Sequence, residues 1–97
     1  MNTKDITQFV KKAKVLSDKS RVALLLEIYQ RGELSCEEAQ HITGLSQPTV
    51  SHHLKLLAES ELIITQKEHR HLRLIPNKTA INQFLTIFDE MKQPKMV

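Results

Sequence analysis

One face of a predicted helix in the middle of the chain has short polar side chains and almost no large charges. At about 100° per residue, Val50, Leu54 and Leu57 form a narrow apolar stripe that marks the buried side of this helix. The other sides present hydrogen-bonding groups short enough to reach base edges and phosphates in the major groove of DNA. These candidate DNA-binding residues are Ser46, Gln47, Thr49, Ser51, His52 and Lys55. The alternative interpretation is an ordinary amphipathic surface helix.

The polar residues of this helix differ in the contacts that their chemistry suits. Gln47 and His52 are the candidates for reading bases, because their side chains present hydrogen-bonding groups to base edges. Ser46, Thr49 and Lys55 are the candidates for phosphate contacts. We also expect the hydroxyl of Ser46 to cap the free amides at the start of the helix.

A second predicted helix lies directly upstream, over residues 34–43. Ser35 and Glu38 fit the S-x-x-E capping box, and Gly44 provides the left-handed residue that commonly ends a helix. Leu45 then leads into the helix with the polar face. Two short helices joined by a turn that contains glycine predict a helix-turn-helix, in which the second helix enters the major groove.

A β-hairpin is predicted downstream of these two helices. Residues 62–65 are apolar and mostly β-branched, and residues 71–74 alternate, with Leu72 and Leu74 expected to face inward. Between them, residues 66–70 form a polar tip without Gly or Pro. A hairpin in this position is typical of a wing that lies against DNA phosphates or in a minor groove. The candidate DNA contacts of the wing are Lys67, Arg70 and Arg73. The alternative is a solvated hairpin edge.

Three segments of the chain together resemble the ArsR/SmtB family of bacterial winged-helix repressors. They are residues 16–21 (LSDKSR), 32–34 (GEL) and 45–57 (LSQPTVSHHLKLL), in which S-x-H-L-x-x-L is the most specific part. Lys19 departs from the family pattern, which usually has Pro there. The resemblance covers residues 6–90 and implies a dimer that binds palindromic operators in double-stranded DNA and commonly releases them when an inducer binds.

The chain is therefore expected to form a single winged-helix DNA-binding domain over residues 1–97. The predicted fold is mainly α with a small β-hairpin, a winged helix-turn-helix with the element order α-α-α-α-β-β-α. The first and last helices have more apolar residues than so short a chain buries by itself, which predicts a homodimer. The expected interface residues are Ile6, Phe9, Val10, Ile81, Phe84, Leu85 and Phe88. The alternative is that both helices cover the core of one subunit.

Neither of the two well-known metal sites of the resembling family is matched. The thiolate site has the pattern E-L-C-x-C-D, and here Ser35 and Glu37 stand at the thiolate positions, with Cys36 between them. The other site pairs Asp and His on the last helix, but residues 78–92 contain no His. We therefore expect no metal site and no cofactor. Cys36 is the remaining candidate for a redox or electrophile switch, the alternative being a structural role.

Composition narrows the possible classes of protein. The 97 residues and the net charge of +3 fit one small domain with a polyanionic partner. No stretch resembles a membrane span or a signal peptide, and the single cysteine excludes an intrachain disulfide, so we expect a cytoplasmic protein with no membrane partner. No nucleophile and base at a convincing spacing, phosphate-binding loop or carboxylate pair indicates an enzyme.

The sequence thus predicts a sequence-specific DNA-binding transcriptional regulator, specifically an operator-binding homodimeric repressor without the metal sites of the resembling family. Two alternatives stay open. The first is a metal- or thiol-responsive repressor that uses unrecognised ligands or Cys36. The second is a winged-helix module that binds another protein and not DNA.

Overall fold

Five helices and three short strands make up the computed structural model, which describes residues 2–93. The elements are α1 (Thr3–Val15), α2 (Lys19–Arg31), β1 (Leu34–Ser35), α3 (Cys36–Thr43), α4 (Gln47–Glu59), β2 (Ile63–Glu68), β3 (His71–Pro76) and α5 (Lys78–Lys92). The predicted winged helix-turn-helix is confirmed. The ends of the predicted domain, residue 1 and residues 94–97, lie outside the described residues. No helix of residues 2–93 is long and apolar enough to cross a membrane.

The start of α3 differs from the prediction by two residues. Leu34 and Ser35 form β1, which pairs with Leu74 and Arg73 of β3, and the helix begins only at Cys36. Leu34 is buried by this pairing. The predicted capping box is present, with Ser35 as the residue before the helix, and both of its hydrogen bonds form. The amide of Ser35, which donates to the Glu38 carboxylate, is the main cause of the lowered pKa of Glu38.

The sheet is antiparallel, with β3 between β1 and β2. The predicted five-residue tip of the hairpin is wrong, because Gln66 to Glu68 pair with Arg73 to His71 and the turn contains only His69 and Arg70. His69 has the positive φ of 56° that such a tight turn requires. The longer strands extend beyond the body of the protein. Consequently Leu74 is fully buried, whereas Leu72, which we expected to face inward, is exposed.

The core lies between α2, α3, α4 and the inner ends of the strands. Its largest fully buried side chains are Leu24, Ile28, Leu34, Leu57, Leu62, Leu74 and Val50. Leu24, Leu25 and Ile28 form the buried side of α2, and Val22 and Leu26 are exposed on its other sides.

Tyr29 joins α2 to both ends of the hairpin. Its hydroxyl donates to the carbonyl oxygen of Leu62 (2.6 Å) and lies 2.9 Å from that of Asn77. The same hydroxyl accepts a hydrogen bond from the amide of Asn77 (3.2 Å), the residue that caps α5. One phenol group therefore positions both the wing and the last helix relative to the core.

The two outer helices, α1 and α5, pack mainly on each other through aromatic rings. Phe9 stacks on Phe84 with ring centroids 4.7 Å apart, and Phe88 meets both rings edge-on. The buried residues of these helices are Lys12 in α1 and Ala80 in α5. Neither helix adds a residue to the buried cluster of the core. The outer pair is thus a separate packing unit attached to the body.

Candidate nucleic-acid interface

The polar face of α4 is fully available to a ligand. Val50, His53, Leu54 and Leu57 hold the helix against the core. The six polar residues predicted to contact DNA are all exposed, namely Ser46, Gln47, Thr49, Ser51, His52 and Lys55. The apolar stripe predicted from periodicity is thus the buried side, and the polar residues project from a helix whose orientation the core determines.

Ser46 does not cap α4 through its side chain, so that expectation is wrong. Its hydroxyl instead donates to the hydroxyl of Thr49, at 3.0 Å. The amides at the start of α4 therefore have no side-chain acceptor, and the partial positive charge of a helix N-terminus favours an anion such as a phosphate there. Pro48 lies in the first turn, where it lacks no helical hydrogen bond.

The buried side of α4 is anchored to α2 by a hydrogen-bonded arginine. Arg21 donates from Nε to the carbonyl oxygen of Val15 at the end of α1 (2.5 Å), and its Nη1 lies 3.1 Å from Nδ1 of His53. A guanidinium group only donates, so Nδ1 of His53 is the acceptor and the ring proton lies on Nε2. Asp18 is 3.9 Å from Arg21 and also accepts from its amide, the main cause of the lowered pKa of Asp18. The orientation of α4 thus depends on contacts with α1 and α2.

The turn between α3 and α4 is held by short local hydrogen bonds. Gly44 has a φ of 69° and donates its amide to the carbonyl oxygen of Gln40 (2.8 Å). The hydroxyl of Thr43 donates to Ala39 and accepts from the amide of Leu45. Ala39 is buried, and Ile42 and Leu45 pack against the core. The angle between α3 and α4 is therefore well determined.

The three cations of the wing have different surroundings. Lys67 and Arg70 are exposed near the tip of the hairpin. Arg73 instead forms ion pairs with Glu33, to which it donates through Nε and Nη2, and with Glu68, at 3.0 Å from Nη1. A DNA phosphate would have to compete with two carboxylates for Arg73, whereas Lys67 and Arg70 meet no such competition among the described ion pairs.

Similar proteins agree with this geometry. A family model described as a helix-turn-helix domain matches residues 16–66. The arsenical resistance operon repressor of Staphylococcus xylosus is 39% identical to this chain over 84 residues, which make up 82% of this chain and 79% of that protein. The chain belongs to the ArsR family of transcriptional regulators. It is a DNA-binding protein and not an enzyme.

Solved structures show the same ArsR-like fold. An ArsR-like regulator from Rhodococcus superposes with a TM-score of 0.78 at 20% identity, covering 90% of this chain and 81% of that one. A homodimeric winged helix-turn-helix DNA-binding domain from Mycobacterium bovis superposes with a TM-score of 0.71 at 21% identity, covering 94% of this chain and 84% of that one. The fold therefore extends beyond the helix-turn-helix to the outer helices of this ArsR family member.

The residues predicted to form a dimer interface divide into two groups in this ArsR family member. Ile6, Val10, Leu85 and Phe88 are exposed, with 49%, 42%, 47% and 40% of their surface accessible. The remaining three, Phe9, Ile81 and Phe84, are half-buried; the two rings stack on each other, and Ile81 packs against the core. Within residues 2–93, no element covers these four exposed apolar side chains.

Cys36 lies in an environment that raises the pKa of its thiol. The thiol is half-buried in the first turn of α3. Burial, and secondly the negative charge of Glu37, raise the pKa of the Cys36 thiol above its usual value of 9.0. Across residues 2–93, no three His, Cys, Asp or Glu side chains are grouped closely enough to hold a metal ion.

Sequence reasoning missed two polar contacts that the fold creates. The first is the contact between Arg21 and His53. Both residues lie in segments that resemble the ArsR/SmtB family, LSDKSR and LSQPTVSHHLKLL, and that shared resemblance was the available signal. The second is Glu33 with Arg73, two residues 40 positions apart, for which the sequence contains no local signal.

Proposed function

We propose that this ArsR family member is a homodimeric repressor that binds a palindromic operator in double-stranded DNA. The exposed polar face of α4, rigidly backed by the core, is the observation that supports this best. Gln47 and His52 read base edges, while Ser46, Thr49, Ser51 and Lys55 contact phosphates or flank the readers. In the wing, Lys67 and Arg70 contact the backbone, and Arg73 does so only after leaving Glu33 and Glu68.

The test of this assignment is a mobility shift with DNA from the promoter of the protein's own gene. We expect Gln47→Ala and His52→Ala each to cost about 1–3 kcal/mol in operator binding, and to relax specificity at one base position. Gln30→Ala, an exposed change on α2, is the control and leaves binding unchanged. If both α4 variants bind the operator as tightly as the wild type, α4 does not read the DNA.

The apolar surface of the outer helices is the proposed dimer interface. Ile6, Val10, Leu85 and Phe88 are exposed in one chain, and a second copy with the same surface would cover them symmetrically. The neighbour from Mycobacterium bovis is described as homodimeric, which supports a dimeric state. Two recognition helices would then meet successive major grooves about 34 Å apart.

Sedimentation tests this interface. Leu85→Glu places a charge in the apolar surface and is expected to yield monomers, whereas Gln83→Glu adds the same charge about 160° away on α5 and leaves the dimer intact. A wild-type chain that sediments as a monomer at micromolar concentration would contradict the proposal.

We further propose that the signal for release of the operator is not a metal bound at the sites typical of the family. Ser35 and Glu37 stand in place of the paired thiolates, and soft metals favour several thiolates. Zinc, cadmium or arsenite at one equivalent per subunit should therefore leave the mobility shift unchanged. Release by any of these ions at that ratio would overturn this part of the proposal.

A further inference from the structure

A groove of about 570 Å³ lies between α1 and α5 and ends at the turn that follows α4. This volume is within the range of about 300–1,000 Å³ that is typical of small-molecule sites. Its walls include the stacked rings of Phe9 and Phe84 and the side chain of Ile87. One side of the groove is therefore apolar and aromatic.

A single buried cation lies in this groove. Lys12 is only 5% exposed and lines the groove, yet no hydrogen bond or ion pair to its ammonium group is found within residues 2–93. A buried lysine is normally paired, because removing an ammonium group from water is costly. The ammonium group also retains some solvent contact, since it is not among fully buried atoms without a partner. Lys12 is thus an unpaired donor that faces the groove.

The charges at the mouth of the groove limit what it can hold. Asp5, Glu61 and Glu90 line it as exposed carboxylates, together with the exposed Lys4. These carboxylates are exposed, whereas the Lys12 side chain is largely buried, so an anionic group beside Lys12 would form the more shielded ion pair. A second negative charge on the same ligand would meet the acidic rim. The arrangement therefore favours a single anionic group attached to an apolar body.

The groove and the proposed dimer surface occupy different sides of the outer helices. At about 100° per residue, Lys12 is about 140° from the middle of the Ile6 and Val10 stripe. Ile87 is about 130° from the middle of the Leu85 and Phe88 stripe by the same measure. Lys12 and Ile87 therefore lie on the sides of their helices that face away from the proposed dimer surface, and the two surfaces meet at Phe88, which contacts Phe9 and Phe84.

We propose that this groove is a binding site for a small organic monoanion. The carboxylate of the ligand pairs with Lys12, and an aromatic body packs against Phe9, Phe84 and Ile87. The site lies outside the DNA-binding surface, so this inference goes beyond the proposed function and does not depend on it.

The probe for this site is 2-naphthoate, with 2-naphthamide as its neutral counterpart, titrated into the full chain without DNA and followed by amide NMR. We expect saturable binding of naphthoate with shifts along the facing sides of α1 and α5. The charged contact is missing when naphthamide binds the wild type and when naphthoate binds Lys12→Met. In each case we expect binding to be about tenfold weaker or more. Lys14→Met, an exposed change on the same helix, should bind naphthoate as the wild type does.

A second variant tests the location independently of Lys12. Thr86→Trp places a bulky side chain at an exposed position of the groove and should block naphthoate while the circular dichroism spectrum stays unchanged. Absence of saturable binding at millimolar naphthoate would overturn the proposal. So would wild-type affinity in folded Lys12→Met or in Thr86→Trp. If Lys12→Met does not fold, the comparison of naphthoate with naphthamide and the Thr86→Trp variant decide the question.

Discussion

Two arginines on α2 allow a matched test of what holds the recognition helix in place. Arg21 and Arg31 each contact two or more partners, but their surroundings differ. The Arg21 side chain is 14% exposed and bonds to Val15 and His53, whereas the Arg31 side chain is 46% exposed and bonds to Glu27 and Glu38. Replacing each by Met keeps most of the aliphatic stem and removes the charge.

The expected effects follow from burial. Arg21→Met removes two hydrogen bonds from a charged donor and leaves Nδ1 of the buried His53 without a partner. Such bonds contribute about 1.5–3 kcal/mol each. Because water can replace Arg21 at the half-buried carbonyl group of Val15, we expect the free energy of unfolding to fall by only about 2–4 kcal/mol. That is a large part of the roughly 5–15 kcal/mol that stabilises a small domain. Arg31→Met removes only exposed pairs, which contribute little in water.

Urea unfolding measures both variants, at one protein concentration, because association would add to the apparent stability. Arg21→Met should lower the midpoint strongly, and Arg31→Met should change it by little more than the experimental uncertainty. Operator binding should weaken in Arg21→Met alone, since His53 belongs to the recognition helix. Equal midpoints for the two variants would refute the view that the Arg21 contacts stabilise the junction of α1, α2 and α4.

Three further outcomes follow from single side chains. Tyr29→Phe should lower the free energy of unfolding by about 1–2 kcal/mol. Burial raises the pKa of Tyr29 above 10.0, so the wild type should also lose stability as the pH rises through that higher pKa. The variant lacks the phenol group and should not show this decline. Since Tyr29 is the only tyrosine, absorbance of the phenolate follows its titration directly, and titration at an unperturbed pKa would contradict this. The raised pKa of the Cys36 thiol predicts slow alkylation by iodoacetamide at neutral pH and faster alkylation in Glu37→Gln, and equal rates would count against the role of that charge. In Gly44→Ala the added Cβ meets no atom within 4 Å, but the alanine must adopt a φ of 69°. Urea unfolding should therefore show a free energy of unfolding lower by about 1–2 kcal/mol, from backbone strain alone.

Elements with strong local patterns were predictable from the sequence. The buried and exposed faces of α4 followed from apolar periodicity, and the capping box of α3 followed from Ser35 and Glu38. These signals lie within one turn of the helix that they describe, so no knowledge of the rest of the chain is needed.

Features that depend on distant partners were not predictable in the same way. The strand β1 exists only because Leu34 pairs with Leu74, and Arg73 is neutralised by Glu33 across the same pairing. The exposure of Leu72 depends on how far the hairpin extends past the body, which alternation along one strand does not reveal. Such outcomes are decided by tertiary contacts, which local propensity does not describe.

The division of the chain into a compact body and an outer helical pair has a consequence for the diversification of such regulators. The match to the helix-turn-helix family model ends at residues 16 and 66, so α1 and α5 lie outside it. Those two helices add no residue to the buried cluster, and they share only partly buried contacts with it. Exchange of the outer helices with those of a relative would therefore leave the buried cluster intact, provided that the new first helix still ends with a carbonyl group that accepts from Arg21. A chain built in this way can acquire a new chemical input or a new pairing partner while it retains the DNA sequence that it recognises.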